Sequence, residues 1–580
     1  MEARAAPQDR VQALNRPDRA AWLGFALAVI ILFFVFNSRA YKGFFIDDDF
    51  DHIANARSVD LSYYGRALIK PSLGADATFR PAAHFYYFVM ARTAGLNFRP
   101  YIAGIQILHL LNVLLVWMLV RALGAEALGA AAAALLFAVH MAVFKVHWEP
   151  MYIFDLACGT FTLLCLLSYV RGRVILSLIC FWLALKAKEV AIMLPLVLLG
   201  YEWWFGGKRW RRLIPFFAIS AALGVMALVF NVHRDTNSDY TLRFTPAALW
   251  KCARFYAGQL VLAPAGARYV GFAGFAILAL PFFIRDRRVR FGVFSFVCLL
   301  GLMLFLPGRL FGAYLYVPLI GLAIAISAAT RPVLLALFFA VWIPWNYNQL
   351  RVDRRAELAA ADERRAWFQP VANFMSRHPE TDTFIYDGAP DTLAHWGVKG
   401  ILRNLRDNRP VTVTWVDASE VKVDLERPHV ALLIWNPAFH TLRVVPRAPD
   451  VSYILLSPLA PRWQFGEGWI GEDQNFRWTE AHATARLLYP SSARKFEVVF
   501  WVRQIYLDST HKGRLQIAFD HRPVGTAALD KADLNTFRFD VPPGMDHPVE
   551  VEFDVSPALK DPGGSSIYYG AAISAFGFVP

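Results

Sequence analysis

Up to about Trp345 the apolar residues come in long unbroken runs, and beyond it they come in short alternations. Crossing a bilayer as a helix takes about 20 mostly apolar residues. Eleven candidate runs begin near Ala21, Tyr101, Ala127, Met151, Val174, Val190, Leu213, Tyr269, Phe291, Tyr314 and Pro332. They predict an α-helical polytopic membrane protein of about 11 transmembrane helices over 21–345, preceded by a polar tail, 1–20. Two polar interruptions, 37–100 and 231–268, are long enough to carry helices or function of their own.

Residues 346–378 are rich in Ala, Glu and Arg with Leu, Phe and Val at helical spacing, and read as a helical connector. Short apolar runs flanking a helical stretch at Leu393–Arg406 predict a small α/β domain over 379–460. From 461 to 580 the alternation has period two, as in "RKFEVVFWVRQIYL" and "VEVEFDV", with Gly and Pro between, and predicts a β-sandwich. Trp463, Trp469, Phe476 and Trp478 fit the core or edge of that sandwich, or else a sugar-stacking face. The fold class expected is thus a helical membrane domain followed by a soluble α/β plus β-sandwich region.

Composition agrees. Hydrophobic residues are 56% and charged residues 18% of the chain, against about 45–50% and 25% in a globular protein. The net charge of +13 raises the possibility of nucleic acid as a partner, but the charge follows topology instead. With the N-terminus cytoplasmic, cytoplasmic loops hold twelve basic residues, among them Lys208, Arg209, Arg211, Arg212, Arg285, Arg287, Arg288 and Arg290, and the short outer loops hold four. The positive-inside rule then puts the C-terminal domain outside. A nucleic-acid partner is excluded on this reading, and membrane lipids are expected. The N-terminus shows no cleavable signal pattern. The five cysteines lack CxxC or zinc spacing and read as packing residues. There is no internal repeat, P-loop or GxGxxG.

Ionisable groups at membrane depth are costly and mark sites by default. Four clusters fall on the expected outer side. The first is Asp47, Asp48, Asp49, Asp51 and His52, flanked by apolar residues. Packed carboxylates repel one another, which suits either cation binding or one carboxylate held as a base; a solvated acidic loop is the plainer alternative. The second is Arg80-Pro81 with His84, and the third is Lys145, His147 and Glu149, followed by Asp155, for which a structural ion pair is an equal reading. The fourth is "KAKE" at the tip of one apolar stretch from Val174 to Phe205. Each arm is about 15 residues, roughly 22 Å at the helical rise, short of the ~30 Å core. Lys186, Lys188 and Glu189 are therefore expected at the bottom of an outward-facing depression, a place that suits a lipid-linked phosphate; snorkelling to the headgroups is the alternative. Arg309 adds a cation on the same face. Carboxylates that accept a proton beside cations that attract an anion fit a sugar carried on a polyprenyl phosphate.

Five segments carry a family likeness: "FFIDDDFDHIANAR" at 44–57, the stretch 79–124 opening "FRPAAHFYYF", "LLFAVHMAVFKVHWEP" at 135–150, "ALKAKEVAIMLPLVLLGYE" at 184–202 and "AYLYVPLIGLAIAIS" at 313–327. In order and spacing the chain resembles the GT-C superfamily of polyprenyl-phosphate-sugar-dependent glycosyltransferases. It looks closest to the protein O-mannosyltransferase-like branch, including bacterial relatives of transmembrane tetratricopeptide O-mannosyltransferases. The tetratricopeptide repeats are absent. The likeness covers the membrane half, about 60% of the chain.

The resemblance implies that Asp48 or Asp49 is the general base. It puts Lys188 near the donor phosphate, with Arg80 and Arg309, and it matches His84, His147, Glu149, Glu189 and Tyr314 to substrate-binding positions. The arginine that precedes "YLY" in the relatives is Ala313 here, and Arg309 stands four residues earlier. The expected activity is inverting sugar transfer from a polyprenyl-phosphate donor to an acceptor hydroxyl of a glycan, lipid or protein. The expected location is the outer, periplasmic side of a bacterial cytoplasmic membrane. Neither a cofactor nor a metal is expected. The rival reading is a transporter or flippase for a lipid-linked sugar or an anionic solute.

Overall fold

The computed structural model describes residues 19–70, 79–231, 238–263, 270–416, 424, 427–457, 460–471, 475–542, 548–560 and 568–580. Its contacts group the chain into two units. One holds Met1–Arg365 with Asp391–Asn408, and the other Ala366–Pro390 with Arg409–Pro580.

The first unit is helical. Among the described residues five helical stretches are long and apolar enough to cross a membrane: Trp22–Lys42, Phe98–Ala122, Pro150–Val170, Arg287–Phe305 and Pro332–Arg377. A pair bent by 62°, Ala127–Val139 with Met141–His147, makes a sixth if counted as one span. The count of eleven is therefore not confirmed among the described residues. The runs beginning near Val174, Tyr269 and Tyr314 are helical but short, as Val174–Ala187, Ala273–Phe283 and Leu319–Ile326. Fourteen residues make about 21 Å of helix, less than the bilayer core. Hydropathy counts apolar residues and does not register the breaks that shorten the helices they form.

The stretch from Val174 to Phe205 breaks at one point. Helix Val174–Ala187 ends at Lys188, whose backbone is extended (φ −162°, ψ 142°). A 3-10 turn, Glu189–Met193, follows, and then helix Leu194–Trp204.

The described residues of the interruption 37–100 are mostly helical. The acidic helix Asp47–Ser58 buries Phe50, Ile53 and Ala54 on one face and gathers three aspartates in its first turn, where the helix dipole favours them. Asp60 caps the helix Leu61–Ile69 by accepting from the Tyr63 N–H. Pro81 opens helix Pro81–Thr93 at a position where its missing N–H costs nothing. The connector expected from 346 is no separate element, since one helix runs from Pro332 to Arg377.

The second unit is rich in strands. A four-stranded sheet comprises β1 (Thr383–Asp387), β2 (Thr412–Trp415), β3 (Val430–Asn436) and β4 (Thr441–Pro446) in the order β2-β1-β3-β4. β1 is parallel to β2 and β3, and β4 returns antiparallel. The helix His395–Leu405 lies between β1 and β2 in sequence, but its contacts group it with the first unit.

Two further sheets follow. β8 (His482–Leu487), β10 (Gly513–Phe519), β11 (Arg522–Leu529) and β13 (Val549–Ser556) form one in the order β11-β10-β13-β8. The other comprises β5 (Tyr453–Leu455), β6 (Trp469–Ile470), β7 (Arg477–Thr479), β9 (Lys495–Trp501), β12 (Leu534–Asp540) and β16 (Ala572–Val579) in the order β12-β9-β16-β7-β6, with β5 on β16. A small ribbon pairs β14 (Leu559–Lys560) with β15 (Tyr568–Tyr569). Phe496, Val498 and Phe500 of β9 meet Leu515 and Ile517 of β10 and Phe553 of β13 in one apolar core. Alternate residues of β9 supply it, as period-two patterning requires.

The aromatic residues singled out in this region do not make one face. Trp463 is buried beside Ile385 and Leu432, Trp469 stacks on Phe576 against the sandwich core, and Phe476 and Trp478 are half-buried. All five cysteines are free, four buried and Cys298 partly so.

Candidate functional site

The acidic helix holds its carboxylates in different surroundings. Asp49 is fully buried. It accepts from the Ile46 N–H at 2.9 Å and the Tyr87 hydroxyl at 2.5 Å. Burial pushes its carboxyl up to about 7, against the lowering by those two donors. Asp47 accepts from the Ala394 N–H at 2.9 Å, and burial raises it to about 6. Asp51 pairs with Arg403 at 3.0 Å. Asp48 is half-buried, and its Oδ1 accepts from Trp396 Nε1 at 3.0 Å. Its Oδ2 accepts no hydrogen bond among the described residues.

The pKa of Asp49 makes a prediction. A carboxyl whose folded pKa lies above its unfolded value of about 4 holds its proton more tightly when folded. Its contribution to stability is complete below about pH 4 and is lost as pH rises through about 7. In detergent, Asp49→Asn is expected to flatten the fall of Tm across that window relative to wild type. Equal slopes for the two proteins would show that Asp49 titrates normally.

A second cluster gathers around the break at Lys188. Lys188 Nζ lies 2.7 Å from both carboxylate oxygens of Asp155, which sits in the first turn of helix Ile153–Val170. The same ammonium lies 4.6 Å from the centre of the Tyr314 ring. Arg80, the N-cap of helix Pro81–Thr93, makes a two-pronged pair with Glu189 at 2.9 Å and 2.9 Å. Arg309 lies 4.1 Å from the Tyr240 ring and 5.2 Å from that of Phe311. The Phe311 ring in turn lies 5.7 Å from that of Tyr314. Among the described residues Arg309 has no carboxylate ion-pair partner, and its buried Nε has no hydrogen bond.

The structure therefore brings Lys188, Arg309 and Tyr314 together, with the Arg80–Glu189 pair at the neighbouring residue of the same break. It puts the other candidates into packed surroundings. His84 is buried and shares a 2.6 Å hydrogen bond with Tyr64, and burial lowers its ring to about 4, so it is neutral at pH 7. His147 is buried against His109 and Phe33 with neither ring nitrogen hydrogen-bonded among the described residues. Glu149 is buried and pairs with Lys145 at 2.9 Å. Tyr316, the second tyrosine of "YLY", bonds His109 and Asn112 in the core.

Three participants were not singled out as site residues from sequence: Tyr240, Trp396 and Asp155 as the Lys188 partner. Only Asp155 carried a signal, as an acid inside an apolar run. Among the described residues no three His, Cys, Asp or Glu side chains converge to hold a metal ion.

No family model matches the chain, and no curated protein does. There is a likeness to solved structures. The crystal structure of ArnT from Cupriavidus metallidurans bound to undecaprenyl phosphate aligns with 74% of this chain and 99% of its own at a TM-score of 0.48 and 13% identity. The apo form of that protein aligns with 76% of this chain and 97% of its own at 0.45 and 12%. At those scores and identities the likeness assigns neither fold nor activity.

Proposed function

We propose that the chain is an inverting membrane glycosyltransferase that moves a sugar from a polyprenyl phosphate to an acceptor hydroxyl. The observation that carries the reading is the half-buried Asp48, with one oxygen unengaged among the described residues, together with Arg309, a guanidinium that has no carboxylate partner among them. A base and an anion-binding cation on one site are what this transfer needs. The five sequence segments that resemble the GT-C superfamily support the same reading, and the O-mannosyltransferase-like branch is part of the proposal for the membrane domain and its donor, not for the acceptor. The basic loops support a site on the outer side of a bacterial cytoplasmic membrane, with the N-terminus cytoplasmic.

In the proposed reaction Asp48 Oδ2 takes the acceptor proton. The acceptor oxygen forms a bond to the anomeric carbon as the bond from that carbon to the phosphate oxygen breaks. The bonding pair leaves with polyprenyl phosphate, and attack opposite the leaving group inverts the anomeric centre. Arg309 meets the charge that develops on the phosphate, with Lys188 and Arg80 as further N–H donors whose charge is shared with Asp155 and Glu189. The protein supplies these cations itself, so transfer is expected to persist in EDTA. Loss in EDTA that manganese or magnesium restores would overturn this part of the reading.

Arg309→Gln tests the phosphate role. No carboxylate is left unpaired by the change, so membrane levels are expected to stay normal. Transfer from a labelled polyprenyl-phosphate sugar is expected to fall about 10²–10³-fold, the usual effect of removing one donor to a developing anion. Unchanged transfer would remove Arg309 from the site.

A further inference from the structure

The helix His395–Leu405 is fastened to the acidic helix along its length. Arg403 reaches Asp51 and Asn55 at 3.0 Å each, Asn404 Nδ2 donates to the Phe50 carbonyl at 2.6 Å, and Asn408 Nδ2 to that of Ala54 at 2.7 Å. Two glycines allow the approach. A Cβ at Gly397 would stand 2.2 Å from Asp47 Oδ1, and one at Gly400 would stand 2.9 Å from the Asp51 nitrogen. The N-terminal turn of this helix is thereby held over Asp47 and Asp48.

Trp396 lies in that turn, yet 55% of its surface is exposed. Burying a large aromatic is favourable, and the helix is already anchored by its polar contacts, so packing does not account for the exposed indole. Its one recorded hydrogen bond ends on the carboxylate proposed as base. An indole presents a flat apolar face with a polar edge. Here the edge is spent on Asp48 Oδ1, and more than half of the residue stays exposed. The apolar C–H face of a pyranose matches such a platform, and its hydroxyls suit the carboxylate that the indole N–H holds.

We propose that Trp396 is the acceptor-side residue of the site, its N–H fixing the orientation of Asp48 and its ring stacking on an acceptor saccharide. The inference rests on the glycosyltransferase reading and adds to it the class of acceptor. Trp396 acts on the chemistry through Asp48, as a positioning residue.

The test uses the full-length protein, a labelled polyprenyl-phosphate sugar, and two acceptors: an alkyl pyranoside and a Ser/Thr peptide. Wild type is expected to use the pyranoside at least 10-fold better than the peptide. Trp396→Phe keeps a ring and loses the N–H. It is expected to lower kcat about 10-fold and to move the acid limb of the pH profile upward, because the ionised carboxylate loses a donor, with acceptor KM nearly unchanged. Trp396→Ala is expected to raise acceptor KM about 10-fold as well. Wild-type values of kcat, KM and pH limb in both variants would overturn the inference and leave the glycosyltransferase reading intact. So would equal loss of kcat in both with KM and pH limb unmoved, or preference for the peptide. If wild type consumes no donor with any acceptor, the reading itself fails and the inference falls with it.

Discussion

Asp48→Asn is expected to reduce sugar transfer by about 10²–10⁴-fold, the range for loss of a general base, at normal protein levels. Asp49→Asn is expected to cost less than about tenfold. The resemblance leaves the two aspartates equivalent, and their surroundings do not. A base must reach the hydroxyl it deprotonates. Asp49 is fully buried with both oxygens occupied, by the Ile46 N–H and the Tyr87 hydroxyl. It anchors the start of the acidic helix. Asp48 lies one residue earlier, half-buried, with Oδ2 unengaged among the described residues. Asparagine preserves the Trp396 contact through its amide oxygen and removes only the basicity, so the helix that covers Asp48 stays in place. Full transfer by the Asp48→Asn protein, with loss in Asp49→Asn, would reverse the assignment.

Lys188→Met is expected to impair folding and transfer together, and a second substitution separates the two. Lys188 and Asp155 have side chains only 11% and 5% exposed, with 2.7 Å between the charged atoms. Removing one partner of a buried pair leaves the other charge uncompensated, at a cost of about 3–5 kcal/mol. The single variant is expected to yield much less folded protein in detergent. Asp155→Asn combined with Lys188→Met removes both charges and is expected to recover most of that yield. Transfer is expected to stay about 10²-fold down in the double variant, since the ammonium that donates to the leaving phosphate is still missing. Recovered transfer in the double variant would make Lys188 a counter-ion to Asp155 and nothing more.

The features most legible in the sequence are those where chemistry contradicts its surroundings. Lys186, Lys188 and Glu189 interrupt an apolar run that is otherwise continuous, and the backbone does break at Lys188. The period-two alternation of Lys495–Trp501 appears as a strand with Phe496, Val498 and Phe500 turned inward. What was not legible depends on long-range contacts or on breaks within apolar runs. Pro281 lies inside a helix of 11 residues, Ala273–Phe283, in a run that hydropathy scores as a span. Helix His395–Leu405 stands between two paired strands of one sheet, where chain order suggests local packing, yet Gly397, Gly400, Arg403 and Asn404 fit it to a helix more than 340 residues earlier. Nothing near Trp396 in sequence indicates Asp48 as its partner. His84, His147 and Glu149 show the converse. They are polar residues in apolar segments that the structure surrounds with packing and local partners.

One reconstitution bears most directly on the central claim. Purified wild type and Asp48→Asn would be placed in liposomes with a radiolabelled polyprenyl-phosphate monosaccharide and an alkyl pyranoside acceptor. The glycosyltransferase account predicts that wild type joins the label to the acceptor with inverted anomeric configuration, releases unlabelled polyprenyl phosphate, and that Asp48→Asn does neither. Intact donor crossing the bilayer with no glycosidic bond formed or broken would contradict it and make the protein a translocator.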